Sequence, residues 1–274
     1  MNISKKMLLF SSFLAVIIVI AFSSANTKSD EITLPDVIDQ VSIKQQETLN
    51  TTVQVRTMFG SGSGTIISKI NTQEKNTYKY IVLTNAHVTH DRVNEYLSGI
   101  NSITGEVIFD VVDTGCSIIT FSGENQEAEV YCADVLFEDV PYDISIISFV
   151  SDKTFNVAMI ANEQMLKNVR VFDEIIAVGC QLGQSPTPTT GIISRILVGD
   201  NGDKHWILYQ NTSHISPGSS GGGLFKEYDG HYYLIGIPFS VTVSYSNQIM
   251  THLAYAISIT TVKEYIDETI ANNQ

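Results

Sequence analysis

The stretch HISPGSSGGGLF, residues 214–225, decides how the second half of this chain is interpreted. Four glycines and three serines follow shortly after the apolar run at 205–209, and the chain returns to an apolar residue at Leu224. A flexible linker needs neither the proline at Pro217 nor that apolar return. The alternative is a rigid turn that holds one serine for chemistry, and the remainder of the chain discriminates between the two interpretations.

Short apolar runs separated by turn residues recur from residue 52 to residue 258. In several of them apolar and polar residues alternate, as at Val53, Val55, Thr57 and Phe59, which is typical of half-buried antiparallel strands. Regular spacing of such strands favours barrels or a sandwich. The sequence therefore predicts an all-β body.

The main helical signal lies at the C-terminus. Thr261 and Glu264 form a candidate capping box, and an apolar face follows, made of Val262, Tyr265, Ile266 and Ile270. Segment 152–170 has weaker strand patterning and divides the strands into two groups. The expected organisation is a first barrel at 51–151, a connection at 152–170, a second barrel at 171–259 and a C-terminal helix at 260–274, after an N-terminal segment at 26–50.

Residues 1–25 are typical of an export signal. Lys5 and Lys6 precede an apolar run at 7–22, and small residues follow at 23–25. The run is shorter than the roughly 20 residues of a membrane-spanning helix, so a cleaved signal peptide is expected and an uncleaved anchor is the alternative. Export predicts a periplasmic or secreted protein, without membrane contact unless the segment is retained.

The net charge of −13 excludes one class of partner. Without residues 1–25 it would be −15, because that segment holds two basic residues and no acidic one. A chain this acidic is not expected to bind nucleic acid. The acidic residues are scattered, so they favour solubility and identify no substrate.

Three cysteines remain in an exported chain that can keep disulfides. Cys116 and Cys132 lie on neighbouring strand-like runs joined by the turn residues 122–125, so they are the expected disulfide pair. Cys180 is left over. Because no histidine is near it in sequence, we interpret it as a small buried residue and not as a nucleophile.

Three stretches together supply the parts of serine acyl transfer, which are a base, a carboxylate that orients it, and a serine flanked by backbone donors. VLTNAHV (82–88) ends an apolar strand at His87, YDISIISF (142–149) begins one at Asp143, and SPGSSGGGL (216–224) presents Ser220 among glycines. A lone histidine after a strand is usually structural. The set of three stretches carries the hypothesis.

The three stretches and their order resemble those of chymotrypsin-like serine proteases, and are most similar to the bacterial trypsin-like branch with the HtrA/Deg proteases. The resemblance covers about 50–260 and includes GSGSGTIIS (60–68), AVGCQLG (177–183), TTGIISRI (189–196) and LAYAISI (253–259). It implies two six-stranded antiparallel β-barrels with a C-terminal α-helix. No PDZ domain is expected, because no room for one follows the helix.

The resemblance also implies roles for individual residues. His87 would be the general base, Asp143 would orient it, and Ser220 would attack the scissile carbonyl. Ser220 is preferred to Ser219 because the family's nucleophile is followed directly by two glycines. The N–H groups of Gly218 and Ser220 would form the oxyanion hole, where glycine fits because it turns its amide without a Cβ clash.

Other residues compete for these roles, and other kinds of site compete with this one. Asp134 and Asp139 compete with Asp143, but only Asp143 directly precedes the strand where the family places its carboxylate. His90 and His87 lack the third ligand of a zinc site, and the glycines of 218–223 lack the Gly-Lys-Ser/Thr of a phosphate-binding loop. No metal and no cofactor are therefore expected. Ser219 replaces an aspartate that pairs with a new N-terminus in digestive enzymes, so that route of activation is not expected.

The resemblance places the wall of the S1 pocket, which receives the P1 side chain before the scissile bond, at His214 and at Pro238, Phe239, Ser240 and Val241. No acid lies at 214, which argues against arginine or lysine at P1. His214 would suit an acidic P1 residue, or would simply pack into the wall, and the sequence favours a small or apolar P1.

The overall prediction is an exported serine endopeptidase acting on proteins or peptides through an acyl-enzyme. A non-catalytic peptide-binding protein on the same fold is the alternative.

Overall fold

The structure, a computed structural model, describes residues 43–100, 103–104, 106–122, 127–200, 205–243 and 249–274. The predicted signal at 1–25 lies outside these residues, as does the tip of the predicted turn at 122–125. Within the described part of the chain, no helix is long and apolar enough to cross a membrane.

A closed six-stranded antiparallel barrel forms the first half of the described chain, with strand order β1-β2-β3-β8-β7-β6. A two-stranded hairpin, β4-β5, is inserted after β3 and lies outside the barrel. In chain order the elements are α1 (Ile43–Glu47), a 3₁₀ turn (Leu49–Thr51), β1 (Thr52–Arg56), β2 (Ser61–Asn71), β3 (Tyr78–Thr84), α2 (Ala86–His90), β4 (Val93–Ile100), β5 (Val107–Asp113), β6 (Cys116–Ser122), β7 (Glu127–Asp139) and β8 (Ile144–Ser151).

A second six-stranded ring follows, with order β13-β10-β11-β12-β15-β14, and the pairing of β13 with β14 closes it. Strand β9 adds to β14 in parallel. The elements are β9 (Met159–Ile160), α3 (Glu163–Lys167), β10 (Glu174–Gly179), a 3₁₀ turn (Gln181–Gly183), β11 (Thr187–Asp200), β12 (His205–Asn211), β13 (Gly223–Tyr228), β14 (His231–Val243), β15 (Ile249–Ser258) and α4 (Ile259–Ala271). The predicted pair of six-stranded antiparallel barrels with a C-terminal helix is confirmed.

Strands β3 and β8 serve two hydrophobic cores at once. Tyr80 and Phe149 stack inside the first barrel with ring centroids 5.2 Å apart. Residues of the opposite face, including Ile81 and Ile146, belong to the cluster shared with the second barrel and α4. Because successive side chains of a strand point to opposite faces, a strand with two buried faces is apolar almost throughout. This explains the runs YIVLT and ISIISF, which hardly alternate.

The first predicted strand is shorter than its alternating pattern. Val53 and Val55 are buried, but β1 ends at Arg56, and Thr57 N–H donates to Gly60 O at 3.0 Å in a turn. Phe59 is consequently 60% exposed. The alternation of apolar and polar residues extends to Phe59, but residues 57–60 form a turn and are not part of strand β1.

The terminal helix has the predicted apolar face but not the predicted cap. Val262 and Ile266 are fully buried. The N-cap is Ser258, whose Oγ accepts from Thr260 N–H at 3.2 Å, and Thr261 Oγ1 instead accepts from Ile207 N–H at 2.9 Å. The helix starts earlier than expected because its first turn leads directly out of β15.

The predicted Cys116–Cys132 disulfide is wrong, because both thiols are free. The two cysteines do lie on paired strands, β6 and β7. Their register, however, sets Cys116 opposite Ala133 and Ser117 opposite Cys132. An offset of one residue puts the side chains on opposite faces of the sheet. Cys116 accordingly points into the barrel, whereas Cys132 is exposed.

Candidate active site

His87 and Asp143 are in direct contact at the ends of two neighbouring strands. His87 lies in the short helix α2, just beyond β3, and Asp143 immediately precedes β8, which pairs with β3. His87 Nδ1 lies 2.8 Å from Asp143 Oδ2, and the backbone N–H of His87 donates to Asp143 Oδ1 at 2.8 Å. Asn85 Nδ2 also donates to the Asp143 carbonyl at 2.8 Å. The carboxylate is therefore held by the chain around the histidine.

The backbone of Asp143 adopts a conformation that L-residues rarely occupy, with φ of +55°. Aspartate tolerates the left-handed region better than most residues, yet the conformation still costs free energy. An ionised carboxylate can only accept hydrogen bonds, so it fixes the proton of a neutral His87 ring on Nδ1. The second ring nitrogen, Nε2, is left as an acceptor.

The turn before Ser220 is rigid, as the opening stretch suggested. Ser219 N–H donates to Ser216 O at 2.9 Å, with Pro217 and Gly218 at the two central positions. The φ of Gly218 is +96°, which a type II turn requires at its third residue. A Cβ atom on Gly218 would lie 2.5 Å from Cys180 O. Both the conformation and the space therefore require glycine.

Two N–H groups of this turn have no acceptor within the described residues, those of Gly218 and Ser220. The N–H groups of Ser219, Gly221 and Gly222 all donate to backbone carbonyls. Leu182 N–H holds Pro217 O at 2.7 Å, and the described chain has no cis peptide bond. Because N–H and C=O of a trans peptide point in opposite directions, the Gly218 N–H faces away from Leu182. The turn thus offers two unpaired donors next to the Ser220 side chain.

Glycines allow the Ser220 turn to approach the end of β3 closely. A Cβ atom on Gly221, whose φ is +85°, would lie 2.2 Å from Thr84 Oγ1 and 3.1 Å from Asn85 N. The turn therefore packs against the residues that lead into His87. The Ser220 hydroxyl itself donates to Phe239 O at 3.3 Å, and within the described residues it has no hydrogen bond to His87. The structure brings the serine to the histidine–aspartate pair without joining them.

Ser63 ties the turn to the first barrel, and the sequence did not reveal this role. It is fully buried in β2. Its Oγ donates to Gly218 O at 2.6 Å and accepts from Cys180 N–H at 2.7 Å, while its own N–H donates to Ser220 O at 2.7 Å. Ser63 lies in the stretch GSGSGTIIS, but serines in such stretches are common, and only the fold shows what this one contacts.

The residues expected around the S1 pocket border the same turn. Gly221 N–H donates to Pro238 O at 2.9 Å, and β14 continues from there through Phe239, Ser240 and Val241. On the other side, Ile215 N–H donates to Thr251 O at 3.2 Å, which joins segment 214–217 to β15. His214 is exposed and does not pack into the wall.

The two buried cysteines are not candidate nucleophiles. Burial raises the pKa of the Cys180 thiol to about 12 and that of Cys116 to about 11. A thiol with so high a pKa is almost entirely protonated at neutral pH, and the thiolate is the reactive form. Cys180 is thus a small buried side chain, as predicted.

Two other features lie apart from this site. The competing carboxylate Asp139 accepts from Tyr142 N–H at 3.0 Å and, within the described residues, has no hydrogen bond or ion pair with His87. A cavity of about 370 Å³, lined among others by Lys44, Glu174 and Tyr232, is not lined by His87, Asp143 or Ser220. Neither feature is an alternative to the candidate active site formed by His87, Asp143 and Ser220.

Comparisons with known proteins agree with this architecture. A family model described as a trypsin-like peptidase domain matches residues 62–237. Two solved structures of the HtrA-type protease AlgW with tripeptide, the second of a variant, share 22% and 21% identity with this chain, each with a TM-score of 0.57. They cover 85% of this chain, which spans 64% and 65% of theirs. No curated protein matches the sequence.

Proposed function

We propose that this chain, which belongs to the trypsin-like peptidase domain family, is an exported endopeptidase that cuts proteins through His87, Asp143 and Ser220. Membership of the family makes it a serine protease. The observation that carries the assignment of residues is the 2.8 Å contact between His87 Nδ1 and Asp143, next to a turn with two unpaired N–H donors.

The reaction begins when Ser220 Oγ gives its proton to His87 Nε2 and forms a bond to the carbonyl carbon of the substrate. The carbonyl oxygen becomes an oxyanion that accepts from the N–H groups of Gly218 and Ser220. Asp143 stabilises the imidazolium that results. The imidazolium then protonates the leaving amine, the C–N bond breaks, and an acyl-enzyme remains on Ser220. Water, deprotonated by His87, hydrolyses the acyl-enzyme.

Before the attack, Ser220 must turn from Phe239 O towards His87 Nε2. This needs a rotation about the Cα–Cβ bond between staggered positions, which is fast compared with turnover. The hydrogen bond that is given up, at 3.3 Å, is long for a hydroxyl donor. The reorientation is therefore compatible with an active enzyme.

Replacement of Ser220 by alanine tests the nucleophile. Hydrolysis of a casein or peptide substrate should fall by at least about 10³-fold, because the attacking atom is lost. The matched control is Ser219→Ala, which removes a neighbouring hydroxyl of the same turn. Activity retained in Ser220→Ala but lost in Ser219→Ala would reverse the assignment.

A fluorophosphonate probe separates the enzyme from a peptide-binding protein on the same fold. The probe bonds to an activated serine and ignores an inert one, so it should label the full chain at Ser220 and leave Ser220→Ala unlabelled.

Export is tested separately by N-terminal sequencing of the protein recovered from its host. A mature N-terminus near residue 26 is expected, whereas an intact Met1 would indicate the retained anchor.

A further inference from the structure

Among the residues that the structure describes, four of the six histidines pair with a carboxylate and two form no such pair. The four pairs are His87 with Asp143 at 2.8 Å, His90 with Glu138 at 3.1 Å, His205 with Asp200 at 3.4 Å and His231 with Glu47 at 2.7 Å. Within the described residues, His214 and His252 form no ion pair. Their rings lie beside each other instead, tilted by 46° with centroids 6.4 Å apart, and both residues are exposed.

The pair occupies a defined place beside the nucleophile turn. His214 precedes that turn by two residues, and its carbonyl accepts from Gln181 Nε2 at 3.4 Å. Gln181 in turn accepts from Ser216 Oγ at 2.8 Å. The Ile215–Thr251 hydrogen bond places His252 next to this segment. Segment 214–217 and β15 thus hold the two imidazoles beside the turn that carries Ser220.

Residue 252 is accessible because the pairing of β14 with β15 is irregular here. Val241 pairs with Ala254, while the next residue, Thr242, pairs with Met250. Residues 251–253 therefore have no partner on β14 and bulge from the ladder. Bulges of this kind redirect side chains near active sites. The sequence contained no signal for this bulge, which is why His252 was not among the expected pocket residues.

Two adjacent imidazoles that have no carboxylate partner in the described part of the chain suit a carboxylate from outside it. Each ring can donate an N–H whether it is neutral or charged, and a carboxylate accepts at both oxygens. Centroids 6.4 Å apart leave room for one carboxylate that bridges the two rings with hydrogen bonds of about 2.8 Å. A metal ion suits them less well, because the described residues contain no group of three or more side chains that could hold one.

We propose that His214 and His252 recognise an acidic P1 side chain, so that the enzyme cuts after glutamate or aspartate. This inference rests on the proposed function, since it assigns the substrate class of the same site. It differs from the small or apolar P1 residue that the sequence favoured. Four histidines of this acidic chain pair with one of its own carboxylates. In the proposal, the carboxylate that pairs with His214 and His252 belongs to the substrate.

The test uses the full chain and a series of fluorogenic peptides that differ only at P1, with Glu, Asp, Gln, Leu or Lys. The kcat/KM for the Glu peptide should be about 10 to 100 times that for the isosteric Gln peptide. This is the ratio that corresponds to the free energy of hydrogen bonds to a charged group. His214→Ala and His252→Ala should each lower this ratio towards 1, chiefly through a lower kcat/KM for the Glu peptide. His205→Ala, which changes an exposed histidine at the start of β12, is the matched control and should keep the ratio.

A binding measurement makes the inference independent of turnover. In Ser220→Ala, the imidazole resonances of His214 and His252 should shift when a peptide ending in Glu is titrated, and less with its Gln counterpart. A Glu to Gln ratio near 1, a preference for Leu or Lys, or equal binding of both peptides would overturn the acidic-P1 assignment. Absence of cleavage of every peptide together with absence of fluorophosphonate labelling would instead refute the proposed enzyme, and the titration would still decide the pocket.

Discussion

Replacement of Ser63 by alanine is predicted to damage both stability and catalysis. The side chain is fully buried, and its Oγ bonds to Gly218 O at 2.6 Å and to Cys180 N–H at 2.7 Å. Alanine would leave a partly buried carbonyl and a buried N–H without these partners. Each orphaned group costs about 1–3 kcal/mol, so the loss of stability should be about 2–6 kcal/mol. At about 2–4 °C per kcal/mol, that corresponds to a Tm lower by roughly 4–24 °C.

The catalytic effect follows from the position of Gly218. Ser63 holds the carbonyl of the residue whose N–H is proposed to bind the oxyanion. When that restraint is lost, the donor is placed less well, and kcat should fall by about 10-fold or more, up to the roughly 10²–10³-fold of a lost oxyanion donor. KM should change little, because the expected pocket residues 238–241 and His214 are untouched.

The assay combines chemical denaturation with kcat and KM measured well below the Tm of the variant. Ser98→Ala serves as the control, because Ser98 is exposed on β4 and makes one hydrogen bond, to Ile108 O at 3.2 Å. Loss of stability with kcat within two-fold of the wild type would show that Ser63 supports only the fold. Unchanged stability would refute the reasoning from buried hydrogen bonds altogether.

Three further predictions concern single side chains. Asp143→Asn should lower kcat/KM by about 10⁴-fold near neutral pH, because an amide favours the wrong imidazole tautomer; full activity on a peptide substrate would contradict the triad. Burial raises the pKa of Glu138, but hydrogen bonds from Thr89, Arg92 and His90 lower it by more. The pKa of Glu138 in the folded protein is therefore below its ordinary value. Its contribution to stability should therefore be present at neutral pH and be lost as the pH falls below about 4, so denaturation curves of wild type and Glu138→Gln should converge there; a gap that persists in acid would count against this. Cys132 should react with a thiol reagent in the native protein, whereas the two buried cysteines, whose pKa values are raised to about 11 and 12, should react only after unfolding; a disulfide-linked peptide in unreduced digests would disprove it.

Local chemistry explains what could be predicted from the sequence. Alternating residues indicated strands. His87 at a strand end and Ser220 among glycines were proposed because three stretches, taken together, resemble those of chymotrypsin-like serine proteases. Asp143 was chosen by its place directly before β8, and the structure sets it in contact with His87. The apolar face of α4 was predicted because helical periodicity is a property of consecutive residues.

Other features depend on how distant segments meet. The one-residue offset between Cys116 and Cys132 is set by the register of β6 on β7. The N-cap moved to Ser258 because β15 runs directly into α4. Ser63 reaches Gly218 across 155 residues of sequence, and His252 meets His214 only through a bulge in β15. Register, bulges and contacts between barrels arise from packing between strands far apart in the chain, and the residue types within any one segment do not encode them.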